Sequence, residues 1–145
     1  MKKLIFLFSL SVLFITAANA QSTLRIMQSD QGVHKLGLDT VTNAGSISQI
    51  AQITGYQDLV TIQSGVTKLT GTAGGSLKLY GSVDGVKYDF ATTSTDTLAV
   101  GNVAGLQVKT WTIAPSSYQY YKVIYKSLQS TQTSTVTSEA LVRKR

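Results

Sequence analysis

The chain has 145 residues, a net charge of +6, one histidine and no cysteine. This length fits one domain whose core can hold the fold without cross-links, and the absence of cysteine excludes a disulfide-stapled scaffold. The thirteen basic and seven acidic residues are spread thinly. The sequence therefore predicts no nucleic-acid partner and only a weak preference for anionic partners.

The first twenty residues have the order of a secretory signal peptide. Lys2 and Lys3 precede an apolar run at 4–17, and Ala18-Asn19-Ala20 has the small-x-small pattern of a cleavage site before Gln21. The run is short for a membrane span, which needs about 20 apolar residues. We predict a signal peptide at 1–20 and a single domain at 21–145, exported to the periplasm, the cell surface or the medium. Loss of the two lysines would lower the net charge by two.

The first half of the domain consists of short strand candidates separated by turn residues. Strands are predicted at 24–27 and 33–41, and isoleucines spaced by three at 47–53 indicate an irregular or strand-like segment. Two further strands are predicted at 59–63 and 66–70. Ser64 and Gly65 between them are interpreted as a break in the chain.

The densest strand signal lies at 76–91. Apolar residues alternate with Lys78 and Tyr80 on the first arm, which is the period-two pattern of a half-buried strand, and apolar residues recur at 86, 88 and 90. Between the arms lies Asp84-Gly85, a pair suited to a tight turn because glycine adopts positive φ without a Cβ clash. We predict a hairpin that turns at Asp84 and Gly85.

The second half continues the same pattern. Trp111 alternates with threonines in a strand at 109–113, which Pro115 ends, and a dense strand follows at 118–126. A final strand is predicted at 139–142 after a Ser/Thr-rich segment. Short strands at this spacing predict an all-β, antiparallel sandwich of about eight strands, Ig-like or jelly-roll-like, with Trp111 in the core.

No group of residues in the sequence has the pattern of a catalytic or metal site. His34 is the only histidine, there is no Gly-x-Ser-x-Gly motif, and several of the seven acidic residues lie beside turn glycines. We therefore predict no enzyme activity, no catalytic residues, no metal and no cofactor.

The aromatic residues are the remaining candidates for a binding site. Tyr80 and Tyr120 fall on the polar faces of their predicted strands, where a ring is available to a ligand or a neighbouring subunit. Ordinary cross-strand packing is the alternative for both rings. We select Tyr80 and Tyr120 as candidate contacts.

Several turn-and-strand motifs carry a resemblance to a known group of proteins. They are DTVTNAG at 39–45, VTKLTGT at 66–72, GSVDGVKY at 81–88, Trp111 and YYKV at 120–123. Together they resemble small β-sandwich structural proteins of bacteriophages, of virion or tail type, from Bacteroidota-like hosts. The resemblance implies a tail, fibre or capsid-surface component and implies no catalytic residues.

The leading prediction is therefore a non-catalytic structural or adhesive module that acts through surface contacts in an assembly, as a homo-oligomer or in a virion. The alternative is an exported envelope or secreted binding protein, for example a carbohydrate-binding sandwich. Its partners would be glycans or an anionic cell surface.

Overall fold

The computed structural model describes residues 22–29, 38–55 and 57–143, which contain β-strands and no helix. The predicted signal peptide and His34 lie outside the described residues. The eleven strands, three of which have only two or three residues, are β1 (Ser22–Ile26), β2 (Gln28–Ser29), β3 (Leu38–Thr42), β4 (Ser46–Gln52), β5 (Leu59–Gly71), β6 (Gly75–Ser82), β7 (Asp89–Phe90), β8 (Leu98–Val100), β9 (Leu106–Ile113), β10 (Tyr120–Ser127) and β11 (Gln132–Arg143).

Sheet A has β11 and β5 at its centre. β11 pairs with β5 on one side, and on the other side it pairs with β3 over 133–137 and with β1 over 139–143. β1 and β3 therefore follow one another along the same edge of the sheet. β9 pairs with β5 and forms the opposite edge.

Sheet B is antiparallel as well, in the order β2-β4-β10-β6. β7 and β8 both pair with the edge of β6 that faces away from β10, β8 with residues 75–77 and β7 with residues 80–81. The register across the three long strands places Tyr80 opposite Lys122, and Lys122 opposite Ile50. Side chains at these positions share the solvent-facing side of sheet B.

A hydrophobic core lies between the two sheets, because alternate side chains of each long strand point inward. Its largest buried side chains include Trp111, Tyr121 and Tyr125. Trp111 Nε1 donates to the carbonyl of Asp96 at 3.0 Å. The Tyr121 hydroxyl lies 2.7 Å from Ser116 Oγ, and burial raises the pKa of this phenol. The predicted antiparallel β-sandwich is confirmed, with Trp111 in the core.

The predicted break at Ser64-Gly65 is wrong, because β5 runs without interruption through both residues. Ser64 is fully buried, and its hydroxyl donates to the carbonyl of Thr137 at 3.0 Å and lies 2.7 Å from Ser138 Oγ. Gly65 lies under Leu106, whose Cδ1 would be 2.7 Å from a Cβ at that position. The hydrogen bonds of its hydroxyl explain why Ser64 is accommodated inside a central strand, and the close approach of Leu106 explains why Gly65 is.

The hairpin between β6 and β7 is wider than the sequence pattern indicates. The two strands pair through Tyr80–Phe90 and Gly81–Asp89, so residues 83–88 form the connection and 86–88 are not in a strand. Gly85 lies within this connection with a φ of 75°. Hydrogen bonds from backbone amides to the Asp84 side chain determine the conformation of the connection.

Candidate ligand-binding face

Four aromatic side chains lie together at one end of the outer side of sheet B. Tyr80 is on β6, Phe90 on β7 and Tyr120 on β10, while Tyr88 belongs to the connection before β7. The register makes Tyr80 and Phe90 direct neighbours and sets Tyr120 diagonally from Tyr80, since Tyr120 is opposite Ser82. We call these four residues and the outward side chains around them the aromatic face.

Tyr80 and Phe90 form a stacked pair. Their ring centres are 4.9 Å apart and their planes differ by 25°. Both side chains are half-buried, so the pair presents a rigid apolar surface to solvent. Parallel aromatic surfaces of this kind suit the flat, C–H-bearing faces of sugar rings as well as other apolar ligands.

Tyr120 is fixed from two sides. Its hydroxyl accepts a hydrogen bond from Gln52 Nε2 at 3.0 Å, across from β4. Its ring lies against Gly85, where a Cβ would be 3.2 Å from ring atoms Cε1 and Cζ. The connection at 83–88 therefore packs on Tyr120 and helps to set the position of its ring.

Asp84 holds this connection together. Its Oδ1 accepts hydrogen bonds from the backbone N–H of Lys87 at 2.9 Å and of Val86 at 2.8 Å, and from Ser82 Oγ at 2.9 Å. Ser82 Oγ in turn accepts from the N–H of Gly85. Donation from the Lys87 and Val86 amides, then from Ser82, lowers the pKa of the Asp84 carboxyl below its ordinary value of 3.8.

Two lysines lie beside the aromatic rings. Lys122 Nζ is 4.3 Å from the centre of the Tyr88 ring, and Lys78 Nζ is 5.7 Å from the centre of the Phe90 ring. Both distances fall within the range of a cation–π contact. The aromatic face therefore combines stacking surfaces with hydrogen-bond donors and positive charge.

A groove of about 520 Å³ lies between β1 and β4. Its walls include Leu24, Arg25, Ile50 and Gln52. Arg25 donates to the carbonyl of Gln52 at 3.1 Å, and Gln52 is also the residue that holds Tyr120. Gln52 therefore connects the wall of this groove to Tyr120 on the aromatic face.

The outer side of sheet A has a different chemistry. It is rich in threonine, and six exposed apolar residues project from its strands: Leu24, Ile26, Leu38, Leu106, Val108 and Leu141. Glu139 and Arg143 are charged residues at outward positions of β11. We call this surface the threonine–leucine face.

Within the described ranges, no group of three or more His, Cys, Asp or Glu side chains is arranged to hold a metal ion. The same ranges include no helix with the length and apolar character needed to cross a membrane. An ion pair does occur between Lys109 and Asp96, at 2.5 Å, in a partly exposed position.

The structure brings together the two tyrosines selected from the sequence and adds members that the sequence did not single out. Tyr80 and Tyr120 share the aromatic face, and Asp84 and Gly85 lie in the connection that packs on Tyr120. Phe90 and the lysines join them only through the strand pairing. The available sequence signal was Lys78-x-Tyr80 on β6 and Tyr120-x-Lys122 on β10, two spacings that place both residue types on one side of a strand.

Comparison with known proteins shows a shared fold. A stretch of the phage CBA120 tailspike protein 4 enzymatically active domain aligns with 86% of this chain at 5% identity and a TM-score of 0.50, and the alignment spans 19% of that structure. The Yersinia pseudotuberculosis-derived mitogen aligns at 10% identity over 87% of both chains, with a TM-score of 0.49. The CBM22-1 xylan-binding domain of Paenibacillus barcinonensis Xyn10C aligns over 88% of this chain and 97% of its own, at 10% identity and a TM-score of 0.48.

No protein-family model matches the sequence, and no curated protein matches it. At the identities found, the likeness to solved structures concerns the β-sandwich fold alone.

Proposed function

We propose that this protein is an exported, non-catalytic binding module that holds a glycan on its aromatic face. The observation that carries the proposal is the stacked Tyr80–Phe90 pair, with ring centres 4.9 Å apart on the outer side of sheet B. A stacked pair that remains half-exposed offers apolar surface at little cost in conformational entropy.

The polar groups around this pair suit a sugar. Tyr120 Oη and the Gln52 amide lie on the same face, 3.0 Å apart, and such groups can exchange hydrogen bonds with hydroxyls of a ligand. The face is open rather than enclosed, which favours a chain ligand over a small molecule. A binding module of this kind needs no catalytic group.

The test is binding of the purified protein to a panel of soluble polysaccharides by affinity electrophoresis, followed by calorimetry on any ligand found. Aromatic contacts of this type contribute about 0.5–1.5 kcal/mol, so Tyr80→Ala and Phe90→Ala should each weaken binding by about two- to tenfold. The control is Leu106→Ala, which removes exposed apolar surface from the threonine–leucine face. Equal losses in all three variants, or no binding to any polysaccharide, would exclude this proposal.

We propose assembly through the threonine–leucine face as a second candidate function, in line with the resemblance to virion components. Six exposed apolar side chains on one sheet face form a surface of the kind found at subunit contacts. Glu139 and Arg143 are four residues apart on β11. A second copy related by a two-fold axis can therefore set Glu139 against the partner's Arg143, which makes the face complementary to itself.

Light scattering over a concentration series tests this second candidate. A dimer or larger oligomer that dissociates in the double variant Leu106→Ser/Val108→Ser supports it, provided that Val86→Ser, at an exposed position outside the face, leaves the oligomer intact. A monomer at every concentration would exclude assembly through this face and would leave the glycan proposal unaffected.

A further inference from the structure

The outer side of sheet B is positively charged. Three lysines project from its central strands, Lys78 from β6 and Lys122 and Lys126 from β10. The outward positions of β4, β6 and β10 in the structure include no aspartate or glutamate. We call these three residues the lysine row.

The three lysines are arranged in a line along β10 and β6 rather than in a compact cluster. Lys122 is opposite Tyr80, Lys78 is opposite Ile124, and Lys126 is opposite Ser76. The three side chains thus alternate between β10 and β6 and are diagonal neighbours. Since a strand rises about 3.3 Å per residue, the row extends about 13 Å from Lys122 to Lys126.

The row starts at the aromatic rings. Lys122 Nζ lies 4.3 Å from the centre of Tyr88 and Lys78 Nζ lies 5.7 Å from the centre of Phe90, so these two cations are held beside the surfaces on which a sugar would stack. Lys126 is exposed at the far end. A chain ligand stacked on Tyr80 and Phe90 and lying along β10 would pass all three.

Two carboxylates belong to the segment next to the row, Asp84 in the 83–88 connection and Asp89 on β7. The Asp84 Oδ1 atom is occupied by Lys87, Val86 and Ser82 donors in its own turn. Asp89 Oδ1 accepts from the backbone N–H of Phe90 at 2.7 Å. Like charges at neighbouring positions of a sheet repel each other, and a ligand with regularly spaced negative charges would relieve this repulsion.

We infer that the ligand of the aromatic face is an anionic glycan, with carboxylates or sulfates on successive sugars that meet Lys122, Lys78 and Lys126. This inference rests on the proposed glycan-binding function and specifies its substrate class. The rings would provide stacking, and the lysine row would provide selection by charge.

The experiment compares two pairs of glycans, each with one strongly charged member and one of little or no charge on the same type of backbone: polygalacturonate with highly methyl-esterified pectin, and dextran sulfate with dextran. Binding of the purified protein is measured by calorimetry at low and at near-physiological salt. We expect about tenfold tighter binding to the charged member of at least one pair, with the difference reduced by salt. The pair that shows the preference distinguishes carboxylate from sulfate.

Substitutions then assign the effect to the lysine row. Lys78→Gln/Lys122→Gln/Lys126→Gln should remove the preference for the charged glycan. Lys68→Gln is the matched control, because Lys68 lies on β5 in sheet A, away from the lysine row. Its Nζ donates a hydrogen bond to Asn102 Oδ1 at 3.0 Å. Each variant is checked for an unchanged melting temperature, and Lys122→Gln alone is used if the triple variant does not fold.

Three outcomes would overturn the inference. Equal affinity for neutral and charged members would exclude charge selection while leaving glycan binding in place. Equal affinity for duplex DNA and for polygalacturonate would indicate a non-selective cationic surface. Failure to bind any of the four polysaccharides would exclude the inference, and if no member of the wider polysaccharide panel bound either, the proposed function would be excluded as well.

Discussion

The ring of Tyr120 lies against Gly85, so that a Cβ at position 85 would be 3.2 Å from two of its ring atoms. Gly85 also has a φ of 75°, in the region that side-chain-bearing residues rarely adopt. The position of the Tyr120 ring on the aromatic face therefore depends on the backbone conformation of Gly85 in the 83–88 connection.

Gly85→Ala should destabilise the protein by about 1–2 kcal/mol, because alanine is strained at this φ. It should also weaken glycan binding by displacing the Tyr120 ring. Thermal unfolding and calorimetry measure the two effects. Gly105→Ala is the control, since no atom lies within 4 Å of a Cβ at that position. Equal melting temperatures for both variants would contradict the strained turn.

The Asp84 turn should make stability depend on pH in the acid range. Its folded pKa is lowered by the Lys87 and Val86 amides and by Ser82. The stabilising contribution is therefore present above the ordinary aspartate pKa of 3.8 and is lost as the pH falls through the lower folded pKa. Melting temperatures of the wild type and of Asp84→Asn should differ near neutral pH and converge as the pH falls through the folded pKa of Asp84. Curves that remain parallel over this range would show that the ionised carboxylate contributes nothing.

Substitutions at Gly81 and Tyr118 should have strongly non-additive effects on the free energy of unfolding. A Cβ at position 81 would be 2.3 Å from Tyr118 Cδ2 and 2.5 Å from Cγ, so the whole ring must move. Gly81→Ala should cost about 1–3 kcal/mol through overpacking. In Tyr118→Ala the same change should cost much less, and a double-mutant cycle by denaturant unfolding measures the difference. Additive losses would show that this contact is relieved without strain.

Gln49 connects the two sheets inside the core. Its Nε2 donates to the carbonyl of Val136 at 3.2 Å, while its Oε1 is buried without a hydrogen-bond partner. Gln49→Ala should cost about 2 kcal/mol or more, since it removes the bond and leaves a void. Gln49→Leu should cost less, because it fills the space and removes the unpaired oxygen. Urea unfolding would contradict this account if leucine proved the more damaging substitution.

The sequence predicted the parts of this fold that follow from alternation of apolar residues. The inward positions of β6 and β10, including Leu79, Tyr121 and Tyr125, follow directly from the period of two. The path of β5 and residues 132–138 of β11 could not be obtained in this way. Their buried side chains include Ser64, Ser134 and Ser138, and the contact between Ser64 and Ser138 becomes visible only when the strands are paired.

The same limit applies to the candidate site, where local alternation identifies some residues and strand pairing is needed for the others. Tyr80 and Tyr120 were found because each lies on the polar side of its own strand. Phe90 was assigned to the apolar side of its predicted strand, and it reaches the outer face because β7 pairs Phe90 with Tyr80. The lysine row likewise depends on the register between β6 and β10. A site made of residues from several strands requires the pairing, which local patterns do not contain.

The position of β11 has a consequence for the order of folding. β5 lies between β9 and β11, and β1 and β3 have their sheet A pairing with β11 as well. β11 follows all of these strands in the chain, so β1 and β3 have no partner in sheet A until β11 is available. β5 and β9 can pair beforehand, but sheet A is completed in a late step that depends on contacts distant in sequence rather than on successive local hairpins.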